Sequence, residues 1–411
     1  MKTVGIIVEY NPLHNGHVLH YTRSKEITNA DAVVAIMSGP FLQRGEPALV
    51  SKRARTEMAL HMGVDLVIEL PTAYAVQPAE WFAYGAVALL NGTGVVDCLS
   101  FGSESGSLED LFPLAEALSE ESGQLRNEIT KHMSSGSNFP SAYAIAAANV
   151  TGSSQRSINE LTQMLAKPNN SLGLHYLIAL RRLQSRITAH TITRESANYH
   201  DLVPTDKTIA SATSIRKLIL EEGLETISSY VPNYTLDILY REFTNGLGPM
   251  DWERFRQPMF QTLLTQEPEE LESYHEVTEG LEHRIQKVLP QLGEPTIDAL
   301  LSALKTKRYT RTKLQRMLLH ILLNHNKAEM SRTKLTEGPG YIRVLGFSDK
   351  GRVLLKQMKK TASLPVVMRP STFSHPYLNM DLQASAAYAS AYPNPTVSSM
   401  FSDYLAPPVI L

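Results

Sequence analysis

A single cysteine, Cys98, stands in a chain of 411 residues, so no disulfide can close within it and no multi-cysteine zinc site can be assembled. That scarcity suits a reducing compartment, and a cytoplasmic location is the expectation. Long apolar runs are missing too. No stretch reaches the roughly 18 uninterrupted apolar residues that a membrane-spanning helix needs, and the run after Met1-Lys2 is broken by Glu9, too short for the core of a secretion signal. The reading is of a chain with neither anchor nor leader and no membrane partner. Neither sign of charge prevails: 39 Lys and Arg face 41 Asp and Glu, a formal net charge of -2. A global basic field for nucleic acid is thereby excluded, and any such contact must rest on a local patch. No internal repeat is visible. What remains is 43% hydrophobic and 19% charged, the proportions of a globular protein, with length for about two or three domains.

The residues that carry chemistry open the chain, in the stretch VGIIVEYNPLHNGHVLH from Val4 to His20. Val4 to Val8 is short, β-branched and uncharged, as a buried parallel strand requires. Pro12 bars both strand and helix interior, and Gly16 lets the backbone turn tightly beneath a ligand. From His17, the residues Val18, Leu19, Tyr21 and Thr22 fit one face of a helix. The first N–H groups of that helix and the positive end of its dipole would face an anion. His14 and His17 can both point at that anion; an imidazole donates to phosphate oxygens, and a protonated one adds charge where a phosphoryl transition state needs it. The plainer alternative is a loop histidine followed by a polar helix start. A strand at the extreme N-terminus running directly into a helix argues against it.

Strand and helix patterns then alternate. Ala32–Met37, Asp65–Leu70, Asp97–Phe101 and Ile187–Thr193 read as further strands, and Val50–His61, Pro78–Leu90 and Ser171–Leu183 as helices. This spacing predicts βαβ units and a parallel sheet whose ligands collect at the carboxyl ends of the strands. Gly102, Asn169, Asn170 and Arg194 fall at that expected rim, although Gly102 alone equally suits a turn and the asparagines a helix cap. Lys52, Arg53 and Arg55 read either as a solvated helix face or, with Arg44, as contacts to an anionic partner. Leu108–Ala148 is helical packing. SATSIR, Ser211 to Arg216, reads first as an N-cap cluster.

Beyond Gly223 helical patterns continue. Glu267 to Glu282 carries seven glutamates, and Lys305 to Lys334 carries nine lysines and arginines against the single acid Glu329. Such a run is either a solvated face or a contact to a phosphate backbone. Tyr341–Phe347 and Val366–Met368 have strand patterns and predict a small C-terminal element; Ser371 to Leu411 has no assignment.

H-N-G-H resembles the HxGH signature of the nucleotidyltransferase superfamily, and SATSIR resembles its second signature, SSTxIR, with Ala212 replacing a serine. The ordered set EYNPLHNGH, SGPFLQRGEPA, LPTAYAVQPAEWFA, SFGSE, KPNNSLG, SATSIR, KRYTRTKLQRMLLHILL and GPGYIRVLGF is similar, over nearly the whole chain, to bacterial tRNA(Met) cytidine acetate ligases. The resemblance implies an α/β fold, with a Rossmann-like parallel sheet nucleotidyltransferase domain (1–222), a mainly helical domain with the basic run (223–335), and a small α/β element and tail (336–411). It implies acetyl-adenylate formation from ATP and acetate, then acetylation of N4 of the wobble cytidine of elongator tRNA(Met). ATP contacts are implied at Ile7, Val8, Glu9, Tyr10, Asn11, Pro12, Leu13, His14, Asn15, Gly16, His17, Val18, Leu19 and His20, and at Gly102, Asn169 and Arg194. His14 and His17 would be the catalytic pair, and Ser211, Thr213 and Arg216 would help hold the pyrophosphate. Mg2+ would arrive on the triphosphate without dedicated protein ligands. Lys305, Lys307, Arg308 and Arg311 would meet tRNA. Two other readings compete: a nucleotidyltransferase that adenylylates a small phosphorylated metabolite, and a module that binds ATP without chemistry.

Overall fold

The computed structural model describes residues 1–120, 122–151, 157–193 and 208–411. Eight strands, β1 (Thr3–Val8), β2 (Ala32–Ser38), β3 (Leu66–Leu70), β4 (Cys98–Ser103), β5 (Thr188–Thr193), β6 (Ile342–Phe347), β7 (Val366–Val367) and β8 (Val409–Ile410), form one sheet. Its order is β5-β4-β1-β2-β3-β6-β7, with β8 also paired to β6. The five strands from β5 to β3 are mutually parallel, whereas β6 runs antiparallel to β3. This is the Rossmann-like α/β arrangement that the alternation of strands and helices implies, followed by a mainly helical region.

The continuous apolar runs of β2 and β3 follow from burial on both faces. Side-chain alternation divides them. Val34, Ile36, Leu66 and Ile68 pack with the helices Ala79–Thr93 and Pro168–Arg182 on one face. Val33, Ala35, Met37 and Val67 pack with the helices Lys52–Met62 and Ala212–Glu222 on the other. Both faces being covered, the open end of the sheet for ligands is the row of strand carboxyl ends.

Packing crosses two of the expected boundaries. The helix Asn233–Thr244 buries Ile238 and Leu239 in the sheet-side core, and a further helical core is built from Met259, Leu271, Leu281, Ile297, Leu314 and Met317. The C-terminal segment packs on the same sheet. β6 joins β3, and its Ile342 and Val344 enter the same core as Leu66 and Ile68. A buried ion cluster locks this junction: Lys52 Nζ lies 2.5 Å from Glu69 and 2.8 Å from Asp403, and Arg343 lies 2.9 Å from Glu69 and 2.8 Å from Asp403. The unassigned tail forms the helices Pro376–Ser390 and Val397–Leu405. Asp403 pairs with Lys52, more than 300 positions away, and with Arg343, 60 positions away, which local patterning cannot register.

Candidate active site

At the carboxyl end of β1 the chain leaves the sheet at Glu9 and enters the helix α1 (Asn15–Thr28) through His14. Tyr10 and Leu13 anchor this loop, 1% and 0% exposed, and Asn11 Oδ1 accepts from Leu49 N–H at 2.7 Å. Glu9 Oε1 accepts from Gln43 N–H at 2.8 Å, and burial raises its carboxyl above the usual range, with the Glu46 charge adding to the effect.

The two histidines form a reciprocal cap. His14 Nδ1 accepts from Gly16 N–H at 3.1 Å, and His17 Nδ1 accepts from His14 N–H at 3.2 Å. An Nδ1 that accepts carries no proton, so in both neutral rings the proton sits on Nε2. The ring centroids lie 3.8 Å apart, and Tyr10 meets His17 edge-on at 5.0 Å. Gly16 serves close approach rather than a special turn: a Cβ there would lie 2.8 Å from His14 Cε1. The helix N–H groups that would greet an anion are engaged inside the protein instead. Asn15 N–H donates to Tyr230 O at 2.9 Å, Gly16 N–H to His14 Nδ1, and His17 N–H to His14 O at 2.8 Å. The loop's approach to an anion thus runs through the His14 and His17 side chains and not through these backbone groups.

SATSIR comes to the same place. Asn15 Nδ2 donates to Thr208 O and to Ser229 O, each at 3.0 Å, which ties the start of α1 to both flanks of the helix Ala212–Glu222. Ser211 caps that helix by accepting from Ser214 N–H at 3.0 Å, and Thr213 sits half-buried in its first turn. Arg216 donates to Asn11 O at 3.0 Å and to Glu46 at 3.2 Å, so in this arrangement it braces the loop.

On the other side of β1, the half-buried Gly102 is the penultimate residue of β4, which ends at Ser103. Glu104 follows, a residue whose role sequence reasoning missed. Its carboxylate accepts from Asn169 N–H at 3.1 Å, Asn169 Nδ2 at 2.7 Å and Asn170 N–H at 2.7 Å. The asparagines are therefore not the cap of the helix Pro168–Arg182; its N-cap position is Lys167, and Glu104 supplies the anion that its N-terminus favours. An acidic residue directly after a strand, with a helix start elsewhere, was the available signal. Arg194 lies outside the described residues.

Lys52 and Arg55 are not a solvated face. They are 6% and 0% exposed, Lys52 within the ion cluster and Arg55 among strand-end carbonyls. Gly45 (φ +75) brings the loop after β2 against the backbone of Arg316, so the helix Arg311–Leu322 packs directly on a loop of the site.

The basic run is largely neutralised by the glutamate-rich stretch. Arg308 lies 2.5 Å from Glu279, whose carboxyl it pulls down to about 2, and Arg311 lies 2.6 Å from Asp298. Arg316 pairs with Glu276 at 2.8 Å, and Lys313 donates to Glu276 O at 2.7 Å. Lys305 and Lys307 are exposed. Among the described residues no group of three or more His, Cys, Asp or Glu is arranged to hold a metal ion, and no helix is long and apolar enough to cross a membrane.

The sheet and the HNGH loop define a class: residues 1–402 match the family model HIGH Nucleotidyl Transferase. Relatives narrow it. A tRNA(Met) cytidine acetate ligase of Caldanaerobacter subterraneus subsp. tengcongensis is 42% identical over 97% of this chain and 98% of its own length. One from Bacillus licheniformis is 43% identical over 96% and 94%. The crystal structure of Thermotoga maritima TmcAL superposes with a TM-score of 0.93 at 34% identity, and its form bound with alpha-thio ATP with 0.90, each covering 100% of both chains. The chain belongs to the tRNA(Met) cytidine acetate ligase family.

Proposed function

We propose that the protein is an ATP-dependent ligase that activates acetate as acetyl-adenylate and acetylates N4 of the wobble cytidine of elongator tRNA(Met) in the cytoplasm. The observation that carries this reading is the reciprocal cap of His14 and His17, whose Nδ1 atoms accept backbone N–H groups and set both rings at the start of α1, beside the carboxyl end of β1. An acetate oxygen attacks the α-phosphorus of ATP and pyrophosphate leaves. The two Nε2–H groups donate to phosphate oxygens as negative charge accumulates on them. N4 of the cytidine then attacks the acetyl carbonyl, AMP leaves, and the amine loses a proton.

ATP lies along Ile7–His20, with Gly102, Asn169 and Arg194 completing its contacts, and Mg2+ enters as part of the ATP substrate. Arg216 reaches the triphosphate indirectly, through the loop it braces, and Ser211 and Thr213 act from the first turn of the same helix. The test is incubation with ATP, radiolabelled acetate and bulk tRNA. Label should enter RNA with one AMP released per acetyl group. Label that requires acetyl-CoA would overturn the ligase reading, and adenylylation of a small phosphorylated metabolite would install the rival one.

A further inference from the structure

Arg55 is among the largest fully buried side chains of the protein, at 0% exposure, and among the described residues it forms no ion pair. All its hydrogen bonds go to carbonyl oxygens. Nη1 donates to Glu9 O at 2.7 Å and Ser38 O at 3.1 Å, Nη2 donates to Gly39 O, and Nε donates to Val50 O at 3.3 Å. Those carbonyls lie just after β1, at and after the end of β2, and just before the helix that carries Arg55 itself. One planar fork therefore gathers the carboxyl ends of the two central strands.

We infer that Arg55 is a positioning residue of the nucleotide site: it fixes where the HNGH loop leaves β1 and holds an ion-unpaired positive charge beneath it. This rests on the proposed function for the identity of the nucleotide. A purely structural staple would not need a full charge, because a neutral donor satisfies carbonyl oxygens without the large penalty of taking a cation out of water. Burial does lower the guanidinium, to about 10, which leaves it charged at neutral pH. Glu9, whose carbonyl Arg55 grips, is only five residues before His14, and the intervening Tyr10, Asn11 and Leu13 are all buried. A shift at Glu9 thus has little slack in which to dissipate before it reaches the histidines. Lysine cannot replace the fork, since its donors radiate from a single atom.

The experiment compares Arg55→Lys and Arg55→Gln with Leu300→Ala, a cavity variant in the separate helical core. Acetate-dependent exchange of pyrophosphate into ATP, measured without tRNA, should lose at least about 10-fold in kcat in both Arg55 variants while KM for ATP stays within about 3-fold, since the displaced contacts strengthen as the transition state forms. Leu300→Ala should melt earlier yet keep the parental kcat per folded molecule. The ring 15N signals of His14 and His17 should move in Arg55→Lys and stay in place in Leu300→Ala. Parental kcat in a folded Arg55 variant, or unmoved histidine signals, would overturn the inference. Failure of both variants to fold would overturn it too, by making Arg55 a residue of the fold alone. Absence of acetate-dependent exchange in the parent would instead strike the functional reading, and the positioning claim would then be judged on the histidine signals.

Discussion

At the scale of single residues, the site depends on contacts too short to tolerate another atom. Gly16→Ala would set a methyl 2.8 Å from His14 Cε1, so the ring must swing away or the loop must open. Either movement breaks the cap in which both Nδ1 atoms accept. The expected outcome is a fall in kcat approaching that of His17→Ala, which should lose about 100-fold to 1000-fold, the usual consequence of removing a preorganised donor. Asn169→Ala should instead raise KM for ATP with kcat largely kept, because the ATP contact proposed for it would be made equally in ground and transition states. Steady-state exchange kinetics of the three variants check this; a Gly16→Ala enzyme with parental kcat would mean that His14 need not stay where it is.

Among whole elements, the inner strands of the parallel sheet were legible because they are buried on both faces and read as short unbroken apolar runs, as AVVAIMS does between Ala32 and Ser38. The HNGH loop was legible because strand, turn and helix start follow one another directly in the chain. Glu104 and Arg55 were not, since each acts on groups brought near only by folding: Glu104 on a helix start 65 and 66 positions away, Arg55 on strand ends 16 to 46 positions away. The pairing inside the basic run was hidden for the same reason. Charge counted along the chain cannot see that Glu279 and Asp298 fold against Arg308 and Arg311. For tRNA binding this shifts the expectation to Lys305 and Lys307, which are exposed. Each lysine that meets a phosphate contributes roughly 0.7 to 0.9 to the slope of log affinity against log salt. Lys305→Gln with Lys307→Gln should therefore weaken tRNA binding and flatten that slope, with melting temperature unchanged. Arg308→Gln should alter tRNA affinity less, since its charge is already matched by Glu279. Filter binding across a salt series decides: equal salt slopes in the parent and the double lysine variant would move the tRNA surface elsewhere.

Over the whole molecule, the C-terminal segment closes the fold, since its strand β6 and its tail helices are held to the sheet through buried charge and not through apolar contact alone. Asp381 accepts from Thr72 N–H at 2.7 Å and from the Tyr341 hydroxyl at 2.5 Å, joining the helix Pro376–Ser390 to the strand ends. Burial pushes its carboxyl up to about 7, with the nearby Glu69 charge acting in the same direction. The sign of the consequence follows from linkage. Between the ordinary carboxylate range near 4 and about 7, the folded protein holds a proton on Asp381 that the unfolded chain has released. Its stabilising contribution is therefore complete below that window and is lost progressively as pH rises through it. Asp403 acts in the opposite sense: Lys52 and Arg343 hold it well below its ordinary range, so its contribution is present above pH 4 and disappears only in acid. Asp381→Asn keeps an oxygen for Thr72 N–H, places an amide donor against the Tyr341 hydroxyl, and removes the titration. Melting temperatures measured from pH 4 to pH 8 should show the parent losing stability toward neutrality relative to Asp381→Asn, with the difference between the two levelling above pH 7. Parallel curves for the two proteins would mean that Asp381 is ionised in the fold throughout, and that Lys52 overrides burial at the junction between sheet and tail.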